Sequence, residues 1–149
     1  MCFFYKKEVK KIKTKFIVIG QPQGKGRPRF VRTATGGRAV TPARTRAYES
    51  YISWEYTRQA NVYYSARYAL RMSIKAFFKV PKSTSKKQKT KMLAGEIRPT
   101  KKPDMDNIVK AIADALNGIA YEDDKQIVEC CIKKYYTEEE RIEVEIENI

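Results

Sequence analysis

The residues of this sequence best suited to chemistry are two aspartates two positions apart, a lysine four positions later, and a second aspartate pair about one helix further on. They are Asp104 and Asp106, then Lys110, then Asp123-Asp124. Pro103 pushes Lys102 out of the α region, so a helix can open at Asp104 or just after it. Carboxylates at a helix start are stabilised by free backbone N–H groups and the helix dipole, each by roughly 0.3–1 kcal/mol. Capping alone therefore accounts for an Asp-rich helix start. A second chemistry stays open beside it. The helix is about 20 Å long, and the acidic turn follows after Gly118–Tyr121. If Ile119–Tyr121 runs extended back along the helix, Asp124 returns to the Asp104 end and the carboxylates converge. Such a cluster raises its own pKa values by like-charge repulsion and needs a counter-ion. Oxygen donors without imidazole or thiolate select a hard cation, Mg²⁺ or Mn²⁺. Lys110 lies one turn after Asp106. It serves either as an i,i+4 ion-pair partner or as a point charge on a phosphate oxygen. Carboxylates, a metal and a lysine together suit phosphodiester hydrolysis.

Composition narrows the partners. The chain has 149 residues, enough for one domain with a real core. Lys plus Arg number 31 against 17 Asp plus Glu, a formal charge of +14. That excess points to a polyanion, nucleic acid first and an anionic membrane surface second. The charge is unevenly spread. Met1–Pro103 holds 26 basic and 4 acidic residues, whereas Asp104–Ile149 holds 5 and 13. Either the two signs mix on folding, or a basic binding face stands beside an acidic site. The absence of histidine excludes Ser-His and Cys-His dyads, HNH-type nucleases and His-ligated metals. Cys2, Cys130 and Cys131 form neither a disulfide framework nor a CxxC site, and reduced thiols in a cytoplasm are expected. No apolar run is long enough to span a membrane, and the start lacks the apolar stretch of a secretory signal.

The elements that must position these residues follow from local pattern. Lys15–Gly20 reads as a strand. Gln21–Val40, rich in Gly, Pro and arginine, reads as a loop or a hairpin with a long basic tip. Thr41-Pro42 opens a helix to about Ala60, with Thr41 as N-cap and Pro42 at the first helical position. Tyr48, Ile52 and Tyr56 form its apolar stripe. Ala69–Val80 alternates as a half-buried strand. Ser83 is expected to cap a lysine-rich helix that Gly95 stops. Met105–Asn117 is a helix with Met105, Ile108, Ile112, Ala115 and Leu116 inward. Gln126–Tyr136 is apolar on both sides at Ile127–Ile132, which predicts a central or interface strand with Cys130 and Cys131 in the core. Ile142–Ile146 alternates with glutamates and predicts an edge strand. The order predicts an α+β fold, one domain with a small mixed sheet packed by helices.

Lys102–Glu129, KPDMDNIVKAIADALNGIAYEDDKQIVE, resembles the core of the RusA-type Holliday junction resolvases, small endodeoxyribonucleases of bacteria and their prophages. The shared pattern is a DxDN-x-x-K helix start, a D-A-L stretch and D-D-x-Q at a strand entry. The resemblance continues upstream through Gly24–Phe30, Thr41-Pro42 and Ser83–Gly95. It implies a RusA-like domain over residues 15–149, with Met1–Thr14 as a basic extension. It also implies an intertwined homodimer that depends on Mg²⁺, with Mn²⁺ as a substitute, and that cuts four-way DNA junctions to leave 5′-phosphate and 3′-hydroxyl ends. Residue by residue, it implies Asp104, Asp106 and Asp124 as metal ligands, Lys110 as the essential lysine, and Asp123 as a further candidate ligand.

The DNA contacts are expected from Lys25, Arg27, Arg29, Arg32 and Arg38 in the Gly-rich segment, where arginine can take phosphate oxygens bidentately. Lys82, Lys86, Lys87, Lys89 and Lys91 add an electrostatic footprint. Most tyrosines are expected in the core. Phe30 and Tyr121 are the aromatics expected to stack on bases at a branch point. Two other classes fit parts of the pattern. One is a DNA-binding module whose aspartates only cap. The other is a DxD-dependent nucleotide-sugar transferase, which the basic two-thirds disfavours.

Overall fold

The alternation in Leu70–Lys79 does what a period-two pattern should. Leu70, Met72, Ile74, Ala76 and Phe78 are all buried on one face of the strand they form. The computed structural model describes residues 9–149 and builds its core around this strand. In chain order the elements are β1 (Lys13–Ile19), β2 (Arg29–Thr33), β3 (Gly36–Val40), α1 (Ala43–Gln59), β4 (Leu70–Lys79), α2 (Lys86–Leu93), α3 (Met105–Leu116), a 3-10 turn (Asp124–Gln126), β5 (Ile127–Thr137) and β6 (Arg141–Asn148). The main sheet has the order β1-β6-β4-β5. β4 pairs parallel with β5 and antiparallel with β6, and β1 pairs antiparallel with β6. The fold is α+β with a mixed sheet, as the element order predicts.

The apolar stripes of α1 and α3 cover one face of this sheet. Tyr48, Ile52 and Tyr56 of α1 and Ile108, Ile112, Ala115 and Leu116 of α3 are buried in the same cluster as Phe16, Met72 and Val144. Met105, expected inward, is instead exposed at the first turn of α3, before the helix reaches the sheet. The β1–β6–α1 corner is tied by polar bonds. Tyr64 Oη donates to the Ile146 carbonyl at 2.9 Å, and Gln59 brackets the Ile17 backbone with bonds of 2.8 and 2.7 Å. β1 begins at Lys13, ahead of the predicted strand start, and buries Thr14. The first eight residues of the expected basic extension, and Cys2 with them, lie outside the described residues.

Several local expectations are corrected. α1 begins at Ala43 with Pro42, not Thr41, at the N-cap position, and no side chain caps it. A proline ring fixes the entry angle without needing a hydroxyl cap. Ser85, not Ser83, caps α2, its Oγ accepting from the Gln88 N–H at 3.3 Å. Of the two C-terminal strands, the expected edge strand is internal, and the other is not central in the sheet. β6 lies inside the sheet between β1 and β4, while β5 is an edge strand. The glutamates of β6 mark one polar face, not an edge. That face is neutralised across the strand pairs, with Lys13 and Lys15 on Glu145 at 2.5 and 3.2 Å and Lys11 and Arg71 on Glu147 at 3.3 and 2.7 Å. Along β5, Val128 is 59% accessible, and Cys130 and Cys131 are exposed and not in the core.

Gln21–Val40 is both of the things its composition allowed. Gln21–Pro28 is an extended loop packed on the protein, and β2 and β3 then form a separate two-stranded hairpin. All of the hairpin is exposed except Val40, which is half-buried. The tip of the exposed Phe30 ring sits over Gly37, where a Cβ would stand 2.1 Å from it, so a side chain there would push the ring aside.

Candidate active site

α3 delivers the acidic residues because its entry and its exit are both held. At the entry, the Lys134 ammonium donates to the carbonyls of Lys101 and Pro103, at 2.6 and 3.0 Å. Asp104 then occupies the N-cap position, but its carboxylate makes no capping bond. Neither Asp104 nor Asp106 has a side-chain hydrogen bond or ion pair among the described residues, and both are exposed. Asp104 is therefore not a hydrogen-bonding cap, and the helix dipole is what stabilises both carboxylates at this position.

At the exit, the chain reverses more tightly than an extended return would. The Ile119 and Ala120 N–H groups donate to the Leu116 carbonyl at 3.0 Å, and the Gly118 N–H to the Tyr121 carbonyl at 2.8 Å. Gly118 has a φ of +73°, which permits the sharp turn. Tyr121 is fully buried, its hydroxyl donating to the Ala113 carbonyl at 2.7 Å, so it cannot stack on a base. Asp123 and Asp124 therefore return beside the middle of α3, not its first residue.

Gln126 fixes that return. Its Oε1 accepts from the N–H groups of Glu122 and Asp123, at 2.9 and 3.2 Å. Its Nε2 donates to the carbonyls of Ser65 and Tyr68, at 2.9 and 3.2 Å. Asp123 accepts from the Lys125 N–H at 2.9 Å, and the Asp124 N–H donates to Asn117 Oδ1 at 2.9 Å. Asp124 is thus aimed at Lys110, with Nζ to Oδ2 at 4.0 Å. Burial, and the hydrogen bond it shares with Asp123, push the Asp124 carboxyl above the usual carboxylate range, with Lys110 opposing. The Lys125 backbone N–H holds Asp123 below it.

Asp106, Lys110 and Asp124 line one groove of about 400 Å³ between α3 and β5, together with Met105, Val109 and Cys130. Asp104 lines a different cleft, of about 770 Å³, between the Gln21–Arg29 loop and the starts of α1 and α3. Arg27, Arg29, Arg44 and Lys102 surround that cleft. The first turn of α3 is the ridge between a cationic cleft and an acidic groove. Lys110 does not pair with Asp106. Its i,i+4 partner is Asp114, at 3.1 Å. Among the described residues, no three carboxylate or thiol side chains are close enough to share one ion. Arg32 lies on the hairpin, and Lys86 and Lys87 lie exposed on α2. Lys25 is held in ion pairs with Glu49 and Asp114.

Residues 20–147 match the family described as Endodeoxyribonuclease RusA. The chain belongs to the RusA endodeoxyribonuclease family. A relative, "Uncharacterized protein YqaN" of Bacillus subtilis (strain 168), is 37% identical over 137 residues, which are 91% of this chain and 96% of that protein. Membership brings the activity class, DNA cleavage within a strand. Among the described residues, no helix of this RusA-family chain is long and apolar enough to cross a membrane.

Residue chemistry alone did not single out Asn117, Asp114 and Gln126 as site residues, although Gln126 closes the D-D-x-Q pattern and Asp114 opens D-A-L. Their signal was position in a motif, with no charge pattern to mark their role. Gln126→Ala removes an amide that satisfies backbone groups on both sides of the acidic turn. The expected loss of stability is about 2 kcal/mol or more by urea denaturation, with a matching loss of DNA cleavage. Unchanged values for both would show that the turn holds itself.

Proposed function

We propose that this chain is a homodimeric, Mg²⁺-dependent endonuclease that resolves four-way DNA junctions by paired nicks in recombination and repair. The observation that carries the reading is the groove lined by Asp106, Lys110 and Asp124, beside a cleft walled by Arg27, Arg29, Arg44 and Lys102. The donor set fits the ion. Mg²⁺ prefers oxygen, keeps several waters, and needs only one or two protein carboxylates when substrate phosphate completes its shell. Asp106 and Asp124 would hold it, whereas Asp104 faces the neighbouring cleft and Asp123 stands behind Asp124. When bound, such an ion activates a water and stabilises the leaving oxygen. Lys110 supplies the point charge for the scissile phosphate oxygens, where charge builds in the transition state. Mn²⁺ has the same ligand preference.

Arg27 and Arg29 hold the phosphate backbone in the cationic cleft, and Arg32, Lys86 and Lys87 extend the footprint over the hairpin and α2. Support for a dimer comes from β5, an edge strand with Val128, Cys130 and Cys131 exposed. An uncovered apolar edge invites a second chain. A two-fold dimer presents two sites to a two-fold-symmetric junction, and paired nicks follow.

The test is cleavage of a labelled mobile four-way junction with and without Mg²⁺. The wild type is expected to cut only with the metal. Asp106→Asn is expected to lose cleavage and bind the junction at least as tightly, since it removes a negative charge facing DNA. A wild type that binds but never cuts would leave a binding module instead, and loss of binding by Asp106→Asn at matched salt would break the division of roles.

The cleft has its own test. Arg27→Ala with Arg29→Ala removes about four phosphate contacts per dimer. The slope of log K against log salt should become shallower by about 3–4 units, at roughly 0.9 per phosphate. A salt titration in Ca²⁺ measures it, and an unchanged slope would move DNA binding to α2.

A further inference from the structure

Lys25 lines the cationic cleft, yet its charge is committed inward. Its ammonium donates to Glu49 of α1 and stands 3.0 Å from Asp114 Oδ2 of α3. The side chains of Lys25, Glu49 and Asp114 are only 20, 20 and 18% accessible. The other oxygen of Asp114 accepts from Lys110 Nζ at 3.1 Å, and Lys110 stands 4.0 Å from Asp124. Charge therefore alternates without a gap along Glu49, Lys25, Asp114, Lys110 and Asp124. The chain of pairs runs from the back of α1, through the loop, across α3, to the acidic groove.

The backbone around Lys25 is fixed as firmly as its side chain. The Lys25 N–H donates to the Asn107 carbonyl at 3.0 Å. A Cβ on Gly24 would stand 2.9 Å from the Asn107 Cβ and 3.0 Å from that of Pro103. The Gly26 N–H donates to Thr45 Oγ1 at 3.1 Å, where a Cβ would come within 2.5 Å. The two glycines press the loop onto the starts of α1 and α3 and send the Lys25 side chain between them. Burial works against the charge of Lys25, but its bonds to Glu49 and Asp114 outweigh this and hold its pKa above the ordinary lysine value.

Asp114 thus has two cations and divides itself between them. Without Lys25, both of its oxygens become available to Lys110, which is drawn back from Asp124. Without Asp114, Lys110 loses its closest anchor among the described residues and its long side chain ranges over the groove. We propose that Lys25 and Asp114 are positioning residues of the cleavage site, Lys25 holding Asp114 so that Asp114 fixes Lys110 beside Asp124. The proposal rests on the reading of Lys110 as the phosphate-facing lysine. It replaces a phosphate contact by Lys25 with an action from behind the site.

The two roles of Lys25 separate in measurement. A phosphate contact predicts that Lys25→Met weakens junction binding and makes its salt dependence shallower by about one unit per phosphate. The positioning role predicts unchanged affinity and slope in Ca²⁺, with a single-turnover cleavage rate at saturating protein lower by about tenfold or more. Lys25→Arg should restore most of that rate. In an Asp114→Asn background, Lys25→Met should cost no more than a factor of about two, because residues in one network are not additive. Additive losses, or a shallower salt slope with the rate intact, would overturn the proposal. A second readout needs neither cleavage nor DNA, and so stands apart from the function itself. Amine acetylation followed by mass spectrometry should show Lys25 and Lys110 labelling several-fold faster in Asp114→Asn than in the wild type, with Lys86 and Lys87 unchanged. Equal rates at Lys25 and Lys110 would overturn it whether or not the protein cuts junctions. A rise at Lys86 and Lys87 too would show general loosening and would also count against it.

Discussion

One buried amide sets the geometry of the acidic groove. Gln126 accepts from the Glu122 and Asp123 N–H groups and donates to the carbonyls of Ser65 and Tyr68. It binds two stretches of chain that share no secondary structure: the loop that enters β4 and the turn that enters β5. Those strands leave this point in parallel, starting from the Leu70–Ile127 pair. With the turn held at that level, the chain leaving α3 has only Gly118–Tyr121 in which to reverse, and Asp124 must face Lys110. The N–H groups of Glu122, Asp123, Asp124, Lys125 and Gln126 all have partners.

The distribution of charge follows from the same arrangement. The acidic residues of the last third meet different fates. Glu145 and Glu147 of β6 are consumed by lysines of the β1 region and by Arg71, and Glu143 by Arg141. Asp104 and Asp106 are not consumed by anything among the described residues. Both readings of the sequence charge therefore apply, to different residues: mixing on the open face of the sheet, and a bare acidic pair beside a basic cleft at the start of α3. Shielded ion pairs of the Lys25–Asp114 kind add little net stability, because desolvation offsets attraction. Their worth is in fixing where a charge stands.

The sequence made legible whatever depends on local period and on motif. The α1 and α3 stripes, the alternation of β4 and the Asp-rich helix start were all readable, since each is set by neighbours within a turn or two. What failed depended on partners far along the chain. Glutamates alternating in β6 look the same whether the polar face meets water at a sheet edge or the lysines of a neighbouring strand. The apolar run of β5 signals burial without saying against which chain. Tyr121 stands next to Glu122 and Asp123 in sequence but points into the core, because the turn after Gly118 directs it there. Lys25, taken with Arg27 and Arg29 as one basic cluster, separates from them only once Glu49 and Asp114 are brought to it by α1 and α3.

The central claim is that Asp106 and Asp124 form one hard-cation site at which Lys110 meets phosphate. The most direct measurement is Mn²⁺ binding by electron paramagnetic resonance, on the full chain with and without an uncleavable junction. The account predicts a saturable site whose affinity falls by about tenfold or more in Asp106→Asn and equally in Asp124→Asn, with little change for Asp123→Asn. Mn²⁺ binding indifferent to both Asp106 and Asp124 would contradict it.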